Sequence, residues 1–171
     1  MAEKTKAPKP SKAETLTRLW QIAPMMVTGT PHGKALGFRF VSVDIAAGTI
    51  ALPYNVKFIG DKKTRVMAGG AVTALLDQTC GLAAMSAFET LSSVATLDLR
   101  IDYMRAASPG EDIIAEARCY KATRNVAFIR AIAHDGDPDD PVASAQAIFM
   151  TTPSGNRDYM KPMKDSTEGK S

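Results

Sequence analysis

The chain is poor in the residues that usually announce chemistry. It has two cysteines, two histidines and one tryptophan in 171 residues. Cys80 and Cys119 form no C-x-x-C pair and fall in a predicted helix and a predicted strand, which makes them reduced core thiols rather than a disulfide scaffold. His32 lies in a predicted loop, Pro31 to Lys34, and His134 at a strand end, so no His/Cys cluster has zinc spacing and no metal is expected. The acidic run from Asp135 to Pro141 lacks both the sharp-turn glycine and the bidentate glutamate of a calcium loop, and reads as a solvated hairpin tip. Also missing are a P-loop, a G-x-G-x-x-G after a strand, and a G-x-S-x-G nucleophile elbow. No cofactor is expected. No apolar run is long enough to span a membrane, and no apolar stretch follows the basic start, so the expected location is cytoplasmic, away from membranes. The net charge of +3 gathers in the ends, with Lys4, Lys6, Lys9 and Lys12 at one and Lys161, Lys164 and Lys170 at the other. Few aromatics accompany these lysines, which argues for solvated tails and against a nucleic-acid surface.

What remains is a chain with an ordinary apolar content of 45%, enough for a single domain with its own core. Residues 1–10 are rich in Lys, Pro and Ala and read as a disordered tail. Ser11 and Glu14 form a capping box that opens a helix with Leu16, Leu19, Trp20 and Ala23 on one face, ended by Pro24. Residues 11–32 are this helix and its linker, 33–153 the main domain and 154–171 a C-terminal tail. Within the domain, Leu36 to Ala46 and Thr49 to Phe58 read as strands joined by a turn at Ala47-Gly48. Residues 59–65 make a polar loop. Val94 to Arg105 alternates as a strand, with Leu97, Leu99, Ile101 and Tyr103 against Thr96, Asp98, Arg100 and Asp102. Strands over 112–123, 126–133 and 142–152 complete the set.

Between the loop and the third strand lies the most informative stretch, Gly69 to Met85. It predicts a helix that is apolar nearly all round, opened by two glycines and carrying Asp77 near its middle. A helix apolar on every side is buried. Its carboxylate must then be paired, protonated or at work, because an unpaired buried charge is costly. Gly69 and Gly70 let a ligand approach the backbone N–H groups where the helix dipole favours negative charge. An acid and a backbone anion site on one helix point to acyl chemistry without a serine or cysteine nucleophile. The short connections allow only antiparallel neighbours. A curved antiparallel sheet wrapped around one long buried helix is the α+β architecture that satisfies all of this. Gly69 and Asp77 are eight residues apart, or about 12 Å along a helix, too far to touch one thioester carbonyl together. If both act on one substrate, Asp77 comes from a second copy, and two equivalent sites lie across a two-fold axis.

The string Ile59-Gly60-Asp61, followed by Val66 to Asp77 with its Ala68-Gly69-Gly70, resembles the PaaI-like hotdog thioesterases. So does the later run from Ala95 to Arg105 with Pro109-Gly110-Glu111 behind it. The resemblance spans about residues 33–152. It implies a hotdog fold, an acyl-CoA substrate, hydrolysis to free acid and CoA, and a homodimer or a dimer of dimers. It assigns Gly69 N–H as the oxyanion donor, Asp77 as general base or nucleophile, and Thr96 as the residue that orients water. Asp61 falls where the family has a loop asparagine, and Ala68 where it has a histidine. Tyr103, Arg105 and Lys121 fall where related proteins contact CoA. Three alternatives accompany this reading: a non-catalytic acyl-CoA-binding hotdog protein, a hotdog hydratase or dehydratase, whose chemistry normally needs a histidine beside the acid, and a purely structural oligomerisation domain, which leaves Asp77 unexplained.

Overall fold

The computed structural model describes residues 11–151. The expected tails, 1–10 and 154–171, lie outside the described residues. The elements run α1 (Lys12–Thr28), α2 (Pro31–Leu36), β1 (Arg39–Asp44), β2 (Ala47–Leu52), α3 (Gly69–Ala87), β3 (Val94–Tyr103), β4 (Ile113–Ala122), β5 (Val126–His134) and β6 (Ala143–Thr151). All six strands form one antiparallel sheet in the order β1-β2-β4-β5-β6-β3. Helix α3 lies against its concave face. Leu75, Leu76, Cys80 and Leu82 bury there with Ile50, Leu52, Ile113 and Ile129. The inward positions of β4, β5 and β6 are mostly alanine, including Ala115, Ala117, Ala131, Ala133, Ala145 and Ala147. Such short side chains let a whole helix fit inside the curl of the sheet.

Several boundaries differ from the sequence reading, each for a local reason. Pro24 does not end α1, because it sits on the exposed side and removes only one helical hydrogen bond. The buried stripe of Leu19, Ala23 and Val27 runs straight past it. Thr15 also anchors α1, its hydroxyl donating to the Glu89 carbonyl at 3.1 Å. Residues 31–34 are not a loop but the start of α2, with Pro31 in the first turn and Thr30 capping Gly33 N–H. The first hairpin turns at Ile45-Ala46, where Ala46 takes φ 59°, and not at Ala47-Gly48. Gly48 is in β2 because α3 crosses it closely: a Cβ there would stand 2.9 Å from Leu82 Cγ. The returning strand stops at Leu52 and gives way to a short 3-10 turn over Val56–Phe58.

Candidate active site

Helix α3 starts in an unusual way for a helix of 19 residues. Its N-cap is Ala68, in extended conformation, with no side chain to accept from the first turn. The first N–H groups are therefore left open at the positive end of the dipole. Ala68 N–H donates to the Phe58 carbonyl at 2.7 Å, and Gly60 N–H donates to the Val66 carbonyl at 2.9 Å, so the loop before the helix is closed on itself. Gly60 is required where loop and helix meet, since a Cβ there would be 3.1 Å from Ala68 Cα. Gly69 and Gly70 are exposed, and a Cβ on Gly70 would meet nothing within 4 Å.

The remainder of α3 is not apolar all round. Thr73, Ala74, Asp77 and Gln78 form a half-buried stripe, so Asp77 is less buried than its surroundings in sequence suggest. This stripe faces β3. Thr96 Oγ1 donates to Asp77 Oδ1 at 2.8 Å. A β-bulge between Thr96 and Asp98 makes that contact possible. Asp98 and Arg100 pair with the outward-facing Ile148 and Gln146, whereas Thr96 pairs with the buried Phe149. Without the extra residue, simple alternation would place Thr96 on the outer face with Asp98. Behind Asp77, burial and then the Asp77 carboxylate push the Cys80 thiol up to about 12, so it is held as the neutral thiol of a core residue.

Tyr103, at the other end of β3, reaches back to the helix start. Its hydroxyl donates to the Gly69 carbonyl at 2.7 Å and lies 2.8 Å from Thr73 Oγ1. Thr73 Oγ1 in turn lies 3.2 Å from the same carbonyl. The structure thus gives Tyr103 a positioning part: it fixes the peptide at which α3 begins. Thr73 was missed by the sequence reading, although its place four residues after Gly69 on a helix was the available signal.

The remaining candidates sit apart from Asp77. Asp61 is exposed and bound within its own loop, where Oδ1 accepts from Lys63 N–H at 2.9 Å and Oδ2 from Thr64 Oγ1 at 3.1 Å. These hydrogen bonds hold its carboxyl below the usual range. Arg105 grips Asp135 with both terminal nitrogens, at 3.0 and 2.5 Å, and also meets the Asp140 carbonyl and carboxylate. With its donors engaged in this way, Arg105 pins the β5–β6 connection and does not stand open to a ligand. Lys121 is exposed beyond a bulge in β4.

A cleft of about 280 Å³ opens beside the helix start, walled by Leu36, Phe58, Ile59, Ala68, Ala71 and Ala74. Gly70 lines it, as do His32 and Lys57. The sequence reading did not bring His32 here, because it missed α2, which carries it.

A curved antiparallel sheet closed around one long helix is the hotdog fold. Residues 65–142 match the thioesterase superfamily. The chain is 36% identical to a Pseudomonas aeruginosa protein of known crystal structure, with a TM-score of 0.71 over 78% of this chain and 99% of that one. It is 27% identical to the medium/long-chain acyl-CoA thioesterase YigI of Salmonella typhimurium, over 75% of this chain and 90% of that protein. The Escherichia coli PaaI structure, at 17% identity, shares the fold with a TM-score of 0.70 over 81% of this chain and 96% of PaaI. The chain belongs to the thioesterase superfamily, shares its fold with PaaI, and is a thioester hydrolase.

Proposed function

We propose that this protein hydrolyses acyl-CoA thioesters to a free acid and CoA. The Asp77–Thr96 hydrogen bond, on a helix whose start is uncapped, is the observation that carries the reading. Thr96 commits its proton to Asp77 and keeps lone pairs for a water molecule. Asp77 takes a proton from that water as it attacks the thioester carbonyl. The carbonyl oxygen gains charge against Gly69 N–H, where the helix dipole and the open donor are already in place. Collapse of the adduct expels the CoA thiolate, which recovers the proton. In the alternative sequence Asp77 itself attacks, and water cleaves the resulting anhydride. The acyl chain lies in the apolar cleft beside Gly70. The named activity of the YigI relatives supports a medium or long chain.

Each site is completed by a second copy. Among the described residues, strand β3 has one neighbour, β6, and its other edge is open along ten residues. Leu97 is 56% exposed there and Tyr103 50%. An open edge of this length is a template for pairing. An antiparallel pairing of β3 with its own copy, centred on Arg100, sets Leu99 opposite Ile101 and, past the bulge at Leu97, Thr96 of each chain opposite Tyr103 of the other. Thr96 holds Asp77 and Tyr103 holds Gly69, so this one operation brings the acid of one chain toward the oxyanion donor of the next.

Two experiments test the reading. Purified protein is expected to release free thiol from a panel of acyl-CoAs of increasing chain length; no release from any of them would overturn the assignment. For the shared site, Asp77→Ala and Gly69→Val chains are each expected to be inactive alone. A mixed dimer has one intact site, so random mixing should return about a quarter of wild-type activity per chain. No recovery in tag-verified mixed dimers would place both groups of a site on one chain.

A further inference from the structure

The outer face of the sheet, opposite α3, carries a hollow of about 540 Å³ with an arrangement that hydrolysis does not use. Arg118 on β4 pairs directly across from Arg130 on β5, and Arg130 directly across from Gln146 on β6. Side chains directly opposite on one face stand about 5 Å apart at Cβ, and like charges in that position destabilise a sheet. Among the described residues, no carboxylate lies within ion-pair distance of Arg118 or Arg130. Arg100, next along the row beyond Gln146, is already joined to Asp102 at 3.1 Å. Among the described residues Glu116 is the one acid lining the hollow, and its Oε1 lies 3.7 Å from His134 Nε2. Arg130 is held in place by stacking, its guanidinium 4.8 Å from the centre of the Tyr120 ring. The hydroxyls of Thr49 and Ser144 and the Gln146 amide complete a polar lining.

We propose that this hollow is a binding site for a diphosphate group, separate from the thioesterase centre. A guanidinium is a planar fork whose paired donors match two oxygens of one phosphoryl group. Two forks side by side match two linked phosphoryl groups, and the ligand charge offsets the repulsion between the two arginines. The hydroxyls and the Gln146 amide supply donors for the remaining oxygens. The ligand class is a diphosphate or its ester.

Calorimetric titration of the full chain with inorganic pyrophosphate at low ionic strength tests this directly. Saturable binding with one site per chain is expected, weakened by added salt. Arg118→Gln and Arg130→Gln should each weaken it by about tenfold or more, as loss of a charge-assisted pair of contacts does. Glu116→Gln removes that lining carboxylate and should tighten binding; it also keeps the test valid if an arginine variant folds poorly. Orthophosphate is expected to bind more weakly than pyrophosphate, and equal affinity would overturn the two-fork assignment. Affinity should be unchanged in Asp77→Asn, because that residue is on the opposite face, and tighter binding there would mean that pyrophosphate enters the thioesterase site, where the Asp77 charge repels it. The proposal is overturned by the absence of saturable heat, or by arginine variants that bind like wild type. It is overturned equally if sedimentation shows Arg118→Gln dissociating an assembly of a protein that binds no pyrophosphate, since the face would then be an interface between copies.

Discussion

Two aspartates in this molecule each accept a threonine hydroxyl, and their settings differ completely. Asp61 accepts from Thr64, three residues away, and from the backbone of Lys63, so both oxygens are satisfied by its own loop. It forms an Asx-type turn, and its charge shapes the chain locally. Asp77 accepts from Thr96, nineteen residues away on another element, and its second oxygen has no protein donor among the described residues. The donors of Asp61 all belong to its own loop, which fits a structural part, whereas Asp77 is held at a single oxygen by a distant strand and keeps the other for the role we propose. Both sit within the stretch that resembles a thioesterase motif, so residue type alone does not separate them; the identity of the donors does.

The widest expected separation comes from Asp77→Asn, which keeps the shape and removes the base. The rate of thiol release should fall by roughly 10²–10⁴ while the thermal melt is preserved. Near-wild-type hydrolysis would make Asp77 as structural as Asp61. Asp135 provides the opposite extreme, a charge wholly consumed by the protein. Arg105, with help from Ser108 N–H, holds its carboxyl well below the usual range. A depressed folded-state value contributes stability that is complete above the ordinary aspartate value of about 4 and is lost as pH falls through the folded one. Asp135→Asn should therefore cost about 3 kcal/mol at neutral pH, the cost of breaking a largely buried pair. Urea titrations of the two proteins should converge as pH drops below about 4, with activity per folded molecule unchanged. Next, Thr96→Val removes the single donor to Asp77 and should slow hydrolysis by about 10–100-fold, the value of a hydrogen bond to a charged group, with the melt little changed. An unaffected rate would show that Thr96 does not orient the acid.

The parts of this design that were legible in sequence are those fixed by composition and period. The central helix, its glycine start and its buried character follow from Gly69 to Met85, and a wrapped antiparallel sheet follows from short connections. What escaped depends on close approach or on one added residue. Gly48 looked like a turn because glycine favours turns, but the space beneath Leu82 is what demands it. Pro24 looked like a helix end, yet burial of Val27 outweighs one missing hydrogen bond. The bulge that turns Thr96 toward Asp77 leaves no mark in the alternation of β3, so the residue came from family resemblance and the contact only from the structure. Arg105 looked like an open cation until the chain brought Asp135 to it from thirty residues away.

A smaller effect probes the uncapped helix start. Ala68→Asp would give the N-cap the acceptor it lacks, and should raise stability by about 1 kcal/mol. The same carboxylate would stand where the oxyanion must form and should repel it. Stability rising while turnover falls is the expected outcome, measured by melts and thiol release on one preparation. If turnover were unchanged, the helix start would not be the anion site.

The smallest effect is expected at Asp61, and it decides how to interpret the departure from the family's loop asparagine. In Asp61→Asn the Oδ1 acceptor for Lys63 N–H is kept, and the new amide can donate to the Thr64 hydroxyl, so the loop retains its hydrogen bonds in altered polarity. What disappears is the charge that those donors stabilise. Because the carboxyl is held below its ordinary range, its contribution exists above that range and is lost as pH falls through the folded value, so any loss of stability should vanish in acid. The carboxylate's hydrogen bonds all go to its own loop, and Ala68 lies between that loop and Gly69. Turnover should then stay within about twofold of wild type, well short of the roughly tenfold change made by one lost charge-assisted contact. A change of tenfold in either direction would mean that position 61 touches the thioester, and the contrast between the two aspartates would become one of degree.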